Sequence, residues 1–491
     1  MSTFKDSTFN ASNPVFYNTT NNIGALPAFY PPRESLLRTL AEVAVKRASW
    51  NPDAPKCHPN TRKPIRTSLT KWPDDPGGHP VQWICGYTGT GKTTIAQTMA
   101  EYWAKEGRLA ATFFFSRLSE DTSSTEYFKE TIAYQLLQIL SFPDDALRFL
   151  QREELSARGW AAIVDALSSL PQTRPPPRLP MIIIFDGLDE CHDLDEPISL
   201  LRDILASASK LKHLIKFLVC CRPELMIEKT FTDLNPGGTV TRRVTIGEDR
   251  ADHNDIRTSL RHSFKRICEV RRKENTISIR NGLWPSEYEV EELVDRASGQ
   301  FVFAAIVIAF VDDEYEDPVE LLNRVLERRG PSFRAIDDLY LVILERVDAR
   351  IGSPELRRML RNLLWSVSRM STHMLPHFWF EEQVKFNILV KHLHTVLHRP
   401  DGLDGAIRLR HKSFDDFLER PSSRHSFSIS WVSRWFACVR SNSVHTSSFY
   451  GAELDQHHRQ TCEGFIVVFQ EPFRRLRYMY LKKGQEVHCC T

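Results

Sequence analysis

Gly86, Tyr87, Thr88, Gly89, Thr90, Gly91, Lys92 and Thr93 follow one another in the order G-x-x-x-x-G-K-[ST], a spacing that builds an anion cradle out of backbone. The glycines let the chain turn through positive φ and bring consecutive N–H groups against phosphate oxygens with no Cβ in the way. Lys92 supplies a mobile positive charge for the β- and γ-phosphates, and Thr93 a hydroxyl for Mg²⁺. A helix beginning there, with Thr94 in its first turn, adds the positive end of its dipole. The chemistry expected is the binding of a nucleoside di- or triphosphate with Mg²⁺, against the plainer reading of a glycine-rich turn.

The complementary half of such a site is an acidic group at the tip of another buried strand. Met181 to Phe185 is an apolar run of strand length ended by Asp186, which is the expected Mg²⁺ partner. Gly187, Leu188, Asp189 and Glu190 follow at once. One of the two further carboxylates, Asp189 in preference to Glu190, is expected to orient the water that attacks the γ-phosphate. The alternative for Glu190 is that it opens a solvated acidic helix start running to Glu196. Residues 215–220 read as a third strand that delivers Arg222 to the same edge of a sheet, either to sense the γ-phosphate or to pair with a carboxylate of the acidic loop. Arg117, at the end of an apolar stretch over 109–115, is a weaker phosphate candidate.

The elements that must hold these groups are legible around them. Residues 81–85 read as a short buried strand; Ile95, Ala96, Met99, Ala100 and Trp103 recur at helical spacing until Gly107. Further upstream a helix is expected over residues 33–48. The fold class expected is α/β, with a parallel sheet sandwiched by helices.

GYTGTGKTT, MIIIFDGLDE and FLVCCRPE together resemble the NACHT branch of the STAND P-loop NTPases, in the style of fungal NOD-like receptors that carry a nephrocystin-3-like N-terminal/NACHT nucleotide-binding domain. The resemblance extends upstream to Cys57-His58-Pro59-Asn60-Thr61-Arg62 with Trp72, and downstream to residues 287–311 and 339–346. It implies a helical lid and a winged-helix-like domain after the sheet. It also implies ATP or ADP, with GTP open, as the nucleotide, slow hydrolysis at most, and self-association on activation toward an effector protein in signalling or an immunity or incompatibility response. Base contacts are expected near Arg62. His411 stands where the family's winged-helix histidine would reach the β-phosphate of ADP, although Arg410 and Lys412 flank it in place of the methionine and aspartate of the plant-type triplet. Bottom-up, a lone histidine in a helical stretch is more simply a surface or packing residue.

The expected organisation is a disordered polar leader over 1–30, a helical lead-in over 31–80, the nucleotide-binding domain over 81–245, the lid over 246–330, a winged-helix-like domain over 331–425 and an irregular tail over 426–491. Composition agrees with a globular chain: 42% hydrophobic and 26% charged residues, with a net charge of +2, give ample core and argue against bulk nucleic-acid or membrane binding. The basic stretch 257–273 is expected to be the solvated face of a lid helix. Ten scattered cysteines without paired C-x-x-C spacing suggest neither a zinc site nor a disulfide framework, and a reducing, cytoplasmic setting fits. The apolar run Phe301–Val311 is too short to span a bilayer. His394 and His398, four apart, are read as packing and surface groups. Two other classes compete with the switch: a P-loop enzyme such as a small-molecule kinase, and a catalytically dead scaffold.

Overall fold

The computed structural model describes residues 32–45, 48–51, 54–117, 120–170, 180–191, 195–273, 284–328, 335–354, 356–357, 360, 391–398, 408–419 and 427. The leader, the tail from 428 and most of the stretch between 361 and 407 lie outside them. The chain divides into two compact units. One holds the chain up to Val270 with the stretch ending at Ala304, and the other holds residues 271–282 and the chain from Ala305.

The first unit is built on a five-stranded, all-parallel sheet ordered β2-β3-β4-β1-β5. Its strands are β1 (Val81–Cys85), β2 (Leu109–Phe114), β3 (Met181–Asp186), β4 (Ile215–Cys221) and β5 (Thr241–Thr245). Every residue of β1, β3 and β4 is buried, as expected of strands covered on both faces, with Gln82, Asp186 and Lys216 the polar members among them. Side chains alternate strictly. Val81, Trp83, Cys85, Met181, Ile183, Phe185, Phe217 and Val219 pack on one face. Ile84, Ile182, Ile184, Leu218 and Cys220 pack on the other.

The first face carries α1 (Arg33–Ala41), α4 (Phe128–Ile139), α7 (Trp160–Ser168), α8 (Asp195–Leu211) and α9 (Leu225–Asp233), with α5 (Asp144–Leu147) and α6 (Arg152–Arg158) between α4 and α7. An aromatic stack of Phe113, Phe128, Trp160, Phe185 and Phe217 fills it. The second face carries α2 (Lys63–Lys71) and α3 (Lys92–Lys105), seated on Ile95, Met99 and Trp103. The expected sandwich of a parallel sheet between helices is therefore present, and with it a P-loop NTPase-like α/β architecture. The first helix is shorter than expected. It stops at Ala41, and the Val45 amide leaves the helical register to donate to Thr131 Oγ1 of α4 at 3.0 Å.

After β5 the chain runs into α10 (Arg250–Lys273), α11 (Glu287–Ala297) and α12 (Phe301–Val311), of which α10 and α12 cross the division between units. A capping box of Ser286 and Glu289 starts α11. The basic face of α10 is tied to α11 through Arg257–Glu291 and Arg261–Glu287 pairs.

The second unit contains α13 (Pro318–Glu327), α14 (Ala335–Ile351), a two-stranded antiparallel pair of β6 (Leu397–His398) and β7 (Arg408–Leu409), and α15 (Lys412–Glu419). Tyr340 of α14 packs on Phe414 and Phe417 of α15, and its hydroxyl shares a 2.8 Å hydrogen bond with Ser413. His394 is a packing group: its ring meets the carbonyl oxygens of Lys391 and Ala309. Among the described residues, no helix is long and apolar enough to cross a membrane and no three potential ligands cluster around a metal position.

Candidate functional site

Face alternation decides where the acidic group goes. Asp186 shares parity with Ile182 and Ile184, so its side chain leaves the sheet on the side of α3, whose first turn begins at the end of β1. Thr93 Oγ1 donates to Asp186 Oδ2 at 2.7 Å across 93 residues of sequence. Two motifs far apart in the chain thus meet at one point.

The loop between them is shaped by close approaches. A Cβ on Gly86 would lie 2.6 Å from the Ile246 carbonyl oxygen, and one on Gly89 (φ +79) would lie 2.1 Å from Val302 Cγ1. Gly91 caps α3 at φ 93, ψ 23, and a Cβ there would meet nothing within 4 Å. The loop is closed on its protein side at Gly86 and Gly89 and open at Gly91. Lys92 Nζ donates back to the carbonyls of Gly86 and Tyr87 at 2.7 and 3.0 Å, curling its charge over the turn. Tyr87 is exposed, Thr88 half-buried and Thr90 buried, its hydroxyl donating to the Tyr87 carbonyl at 2.9 Å.

Asp186 is 3% exposed, and its Oδ1 is buried with no hydrogen-bond partner. Burial pushes this carboxyl up to about 7, against the Thr93 hydroxyl, which works the other way. A buried carboxylate with one oxygen unsatisfied, beside a hydroxyl and within the field of a lysine, is a donor set that fits a hard divalent cation reached through water.

Asp189 and Arg222 are brought together. The Arg222 amide donates to Asp189 Oδ1 at 3.1 Å, and its Nε pairs with Oδ2 at 3.0 Å, with Asp189 2% exposed. Glu190, half-buried, accepts from the Arg117 amide at 3.4 Å, while Arg117 Nη2 reaches the Asp189 carbonyl at 3.5 Å. Gly187, at φ +79, permits this turn because a Cβ there would lie 2.8 Å from the Phe115 carbonyl oxygen.

Arg62, expected beside the base, directs its guanidinium at the phosphate loop: Nη2 donates to the Thr90 carbonyl at 2.8 Å, and Nη1 pairs with Asp252. His411 belongs to the second unit, at the turn between β7 and α15, half-buried; burial, with Arg410 adding to it, lowers its imidazole to about 4. Sequence reasoning missed Asp252, Gly247, Gly299 and Val302, which close on the loop from the far side. The isolated glycines Gly247 and Gly299 were the available signal, since an unexplained glycine beside a helix often marks a close backbone approach.

A family model described as Nephrocystin 3, N-terminal, matches residues 65–222, a span that contains the phosphate loop, Asp186 and Arg222. None of the curated proteins matches the chain. Among solved structures, that of Drosophila ORC bound to DNA is similar at 15% identity, covering 79% of this chain and 98% of that chain, with a TM-score of 0.32. A likeness that low carries no argument about this chain.

Proposed function

We propose that the first unit binds a nucleoside triphosphate or diphosphate with Mg²⁺ and uses it as a switch, with slow hydrolysis. The observation that carries the reading is the meeting of Thr93 with a buried Asp186 whose second oxygen lacks a partner, at the open end of a G-x-x-x-x-G-K-[ST] loop. Backbone N–H groups of residues 86–94 cradle the phosphates, and Lys92 turns from the loop carbonyls toward them. Thr93 and Asp186 would hold Mg²⁺, which when bound neutralises charge on the β- and γ-phosphates. Asp189 fixes Arg222 through its amide and Nε, orienting it for the γ-phosphate. Because both oxygens of Asp189 are taken up in that pair, we assign the water-orienting role to Glu190, reversing the preference drawn from sequence.

The finer reading follows the residue resemblance: a NACHT-type signalling switch that holds ADP closed, opens on exchange for ATP and self-associates. A ligand moves such an equilibrium only by its differential affinity for the two states, and Arg222 is a group that distinguishes them. His411 is carried in this proposal as the residue that slows ADP release. ATP is preferred to GTP on the resemblance alone.

The test is to denature protein purified without added nucleotide and identify what is released, then to measure binding of ADP and Mg-ATP by equilibrium dialysis. One nucleotide per chain, lost in Lys92→Ala, is the expected outcome. A chain that binds neither overturns the reading. Rapid turnover dependent on a small acceptor would move it to the small-molecule kinase class.

A further inference from the structure

We infer that Arg62 is the positioning residue of the phosphate loop, holding its outer face to the helical segment that follows β5 and so making that segment responsive to the bound nucleotide. The inference rests on the nucleotide reading above and concerns the control of the same site.

Arg62 sits at φ 54, ψ 23, a left-handed conformation that side-chain-bearing residues rarely take and keep only when their surroundings over-determine it. Here they do. Its amide donates to Asp255 Oδ2 at 2.8 Å, its Nη2 to the Thr90 carbonyl at 2.8 Å, its Nη1 pairs with Asp252, and its Cζ lies 4.8 Å from the Phe301 ring centroid. The residue is 4% exposed and Asp252 3%. A buried charge pair adds little to stability compared with an apolar replacement, so its value lies in what it holds in place.

What it holds is the direction of a peptide. A trans peptide unit is rigid, with its C=O and N–H pointing opposite ways. Fixing the Thr90 carbonyl from outside therefore turns the Gly91 N–H toward the open side of the loop, where a Cβ on Gly91 would meet nothing within 4 Å. A guanidinium can do this while also meeting a carboxylate because its donors stand in a fixed fork.

The other end of the fork leads into the helices. Asp252 opens α10 and accepts from the amides of Gly247 and Asp249. Gly247 lies so close to its neighbours that a Cβ on it would be 2.4 Å from Thr90 Cγ2, and one on Gly299 would be 2.0 Å from the Gly247 carbonyl oxygen. From Gly299 the chain enters α12, where the Val302 amide donates to the Gly89 carbonyl at 3.0 Å. Two consecutive carbonyls of the loop are thus gripped from outside, one by Arg62 and one by the start of α12, through a closed circuit of contacts.

The experiment measures ADP affinity and amide hydrogen exchange, with and without ADP, in the full chain, Arg62→Ala, Arg62→Lys and Asp252→Asn. In the unaltered chain ADP slows exchange over residues 86–94 and also over 298–304. Arg62→Ala weakens ADP binding by roughly ten- to a hundredfold, the range for a hydrogen bond involving a charged group. At saturating ADP it keeps protection over 86–94 and loses it over 298–304. Arg62→Lys behaves as Arg62→Ala in exchange, since an ammonium cannot span Thr90 and Asp252 together. A residue that only supported the fold would lower the melting temperature and leave the ADP-induced protection over 298–304 intact, and that result overturns the inference. Should Arg62→Ala fail to melt cooperatively, Asp252→Asn decides by the same two readouts. If the unaltered chain binds no ADP, the nucleotide reading itself falls; if it binds and the variants match it, only the role of Arg62 does.

Discussion

Asp186 in the first unit and Asp313 in the second are equally buried, each 3% exposed, yet their surroundings push them in opposite directions. Burial works to raise Asp313 too, but the Tyr315 amide at 2.9 Å and the Arg346 guanidinium at 2.8 Å outweigh it and hold the carboxyl below its ordinary range. Arg346 is in turn braced by Glu316 at 2.8 Å and lies over the Phe310 ring. Asp186 receives one hydroxyl, leaves Oδ1 without a partner and rises to about 7. A buried acid supplied with all its donors is a piece of architecture. One left short of donors at the mouth of a glycine loop is a place for something else to complete.

The largest effect that separates the two is on stability. Asp313→Asn takes away one of the two carboxylates that hold the buried Arg346, leaving Glu316 as the other, and is expected to cost about 1.5–3 kcal/mol, the range for a hydrogen bond to a charged group, read as a lowered urea midpoint of the second unit. Asp186→Asn is expected to leave the nucleotide-free protein as stable or about 1 kcal/mol more so, because it removes a carboxyl whose burial is poorly compensated, while abolishing the Mg²⁺ dependence of ATP binding. If both substitutions destabilise equally, the contrast between architecture and site collapses.

A second test uses protons. His392 and His411 are both lowered to about 4, chiefly by burial, with Arg350 beside the first and Arg410 beside the second. In the unfolded chain they titrate at their ordinary 6.5, so between about pH 6.5 and 4 the unfolded state binds more protons and stability falls as pH falls. We expect a loss of about 1–3 kcal/mol per histidine across that window. Thermal melts of the His392→Asn, His411→Asn double variant should show a flatter pH slope there. The smallest effect expected is kinetic: His411→Ala speeds release of ADP, measured by displacement of a fluorescent analogue, about tenfold for the loss of one hydrogen bond to a charged phosphate.

The strand, loop and helix around Lys92, and the run ending at Asp186, were legible because their signals are local: short, largely apolar runs for doubly covered strands, glycines for the turn. β5 was not. In Thr241–Thr245 only Thr241 is buried, the two arginines and Thr245 being exposed and Val244 half-buried, as in an edge strand, and polar residues hide its period. The Arg222–Asp189 pair was foreseen as one of two options, and only geometry could choose the partner. Arg62 could be singled out but not placed, since its partners Thr90, Asp252 and Asp255 become neighbours only through the sheet's long connections. The second unit was the least readable. Its ion cluster of Asp313, Glu316 and Arg346 carries no periodic signature at all.

The strand order has a consequence for how the molecule comes into being. β1 is flanked by β4 and β5, pairing Val81 with Phe217 on one side and with Thr241 on the other. A chain emerging from the ribosome therefore displays its glycine loop early but has nothing to lay β1 against until more than a hundred residues later. Until β4 arrives both β1 and β3 have an open edge, and until β5 arrives β1 keeps one, edges of the kind that seek other chains. Any shortened product ending between Asp186 and Thr245 would hold every phosphate-binding residue of the loop and still lack the means to shape it, and since Asp252, through Arg62, and Val302 grip the loop from beyond β5, the natural minimum for expressing this unit alone runs to Ala304.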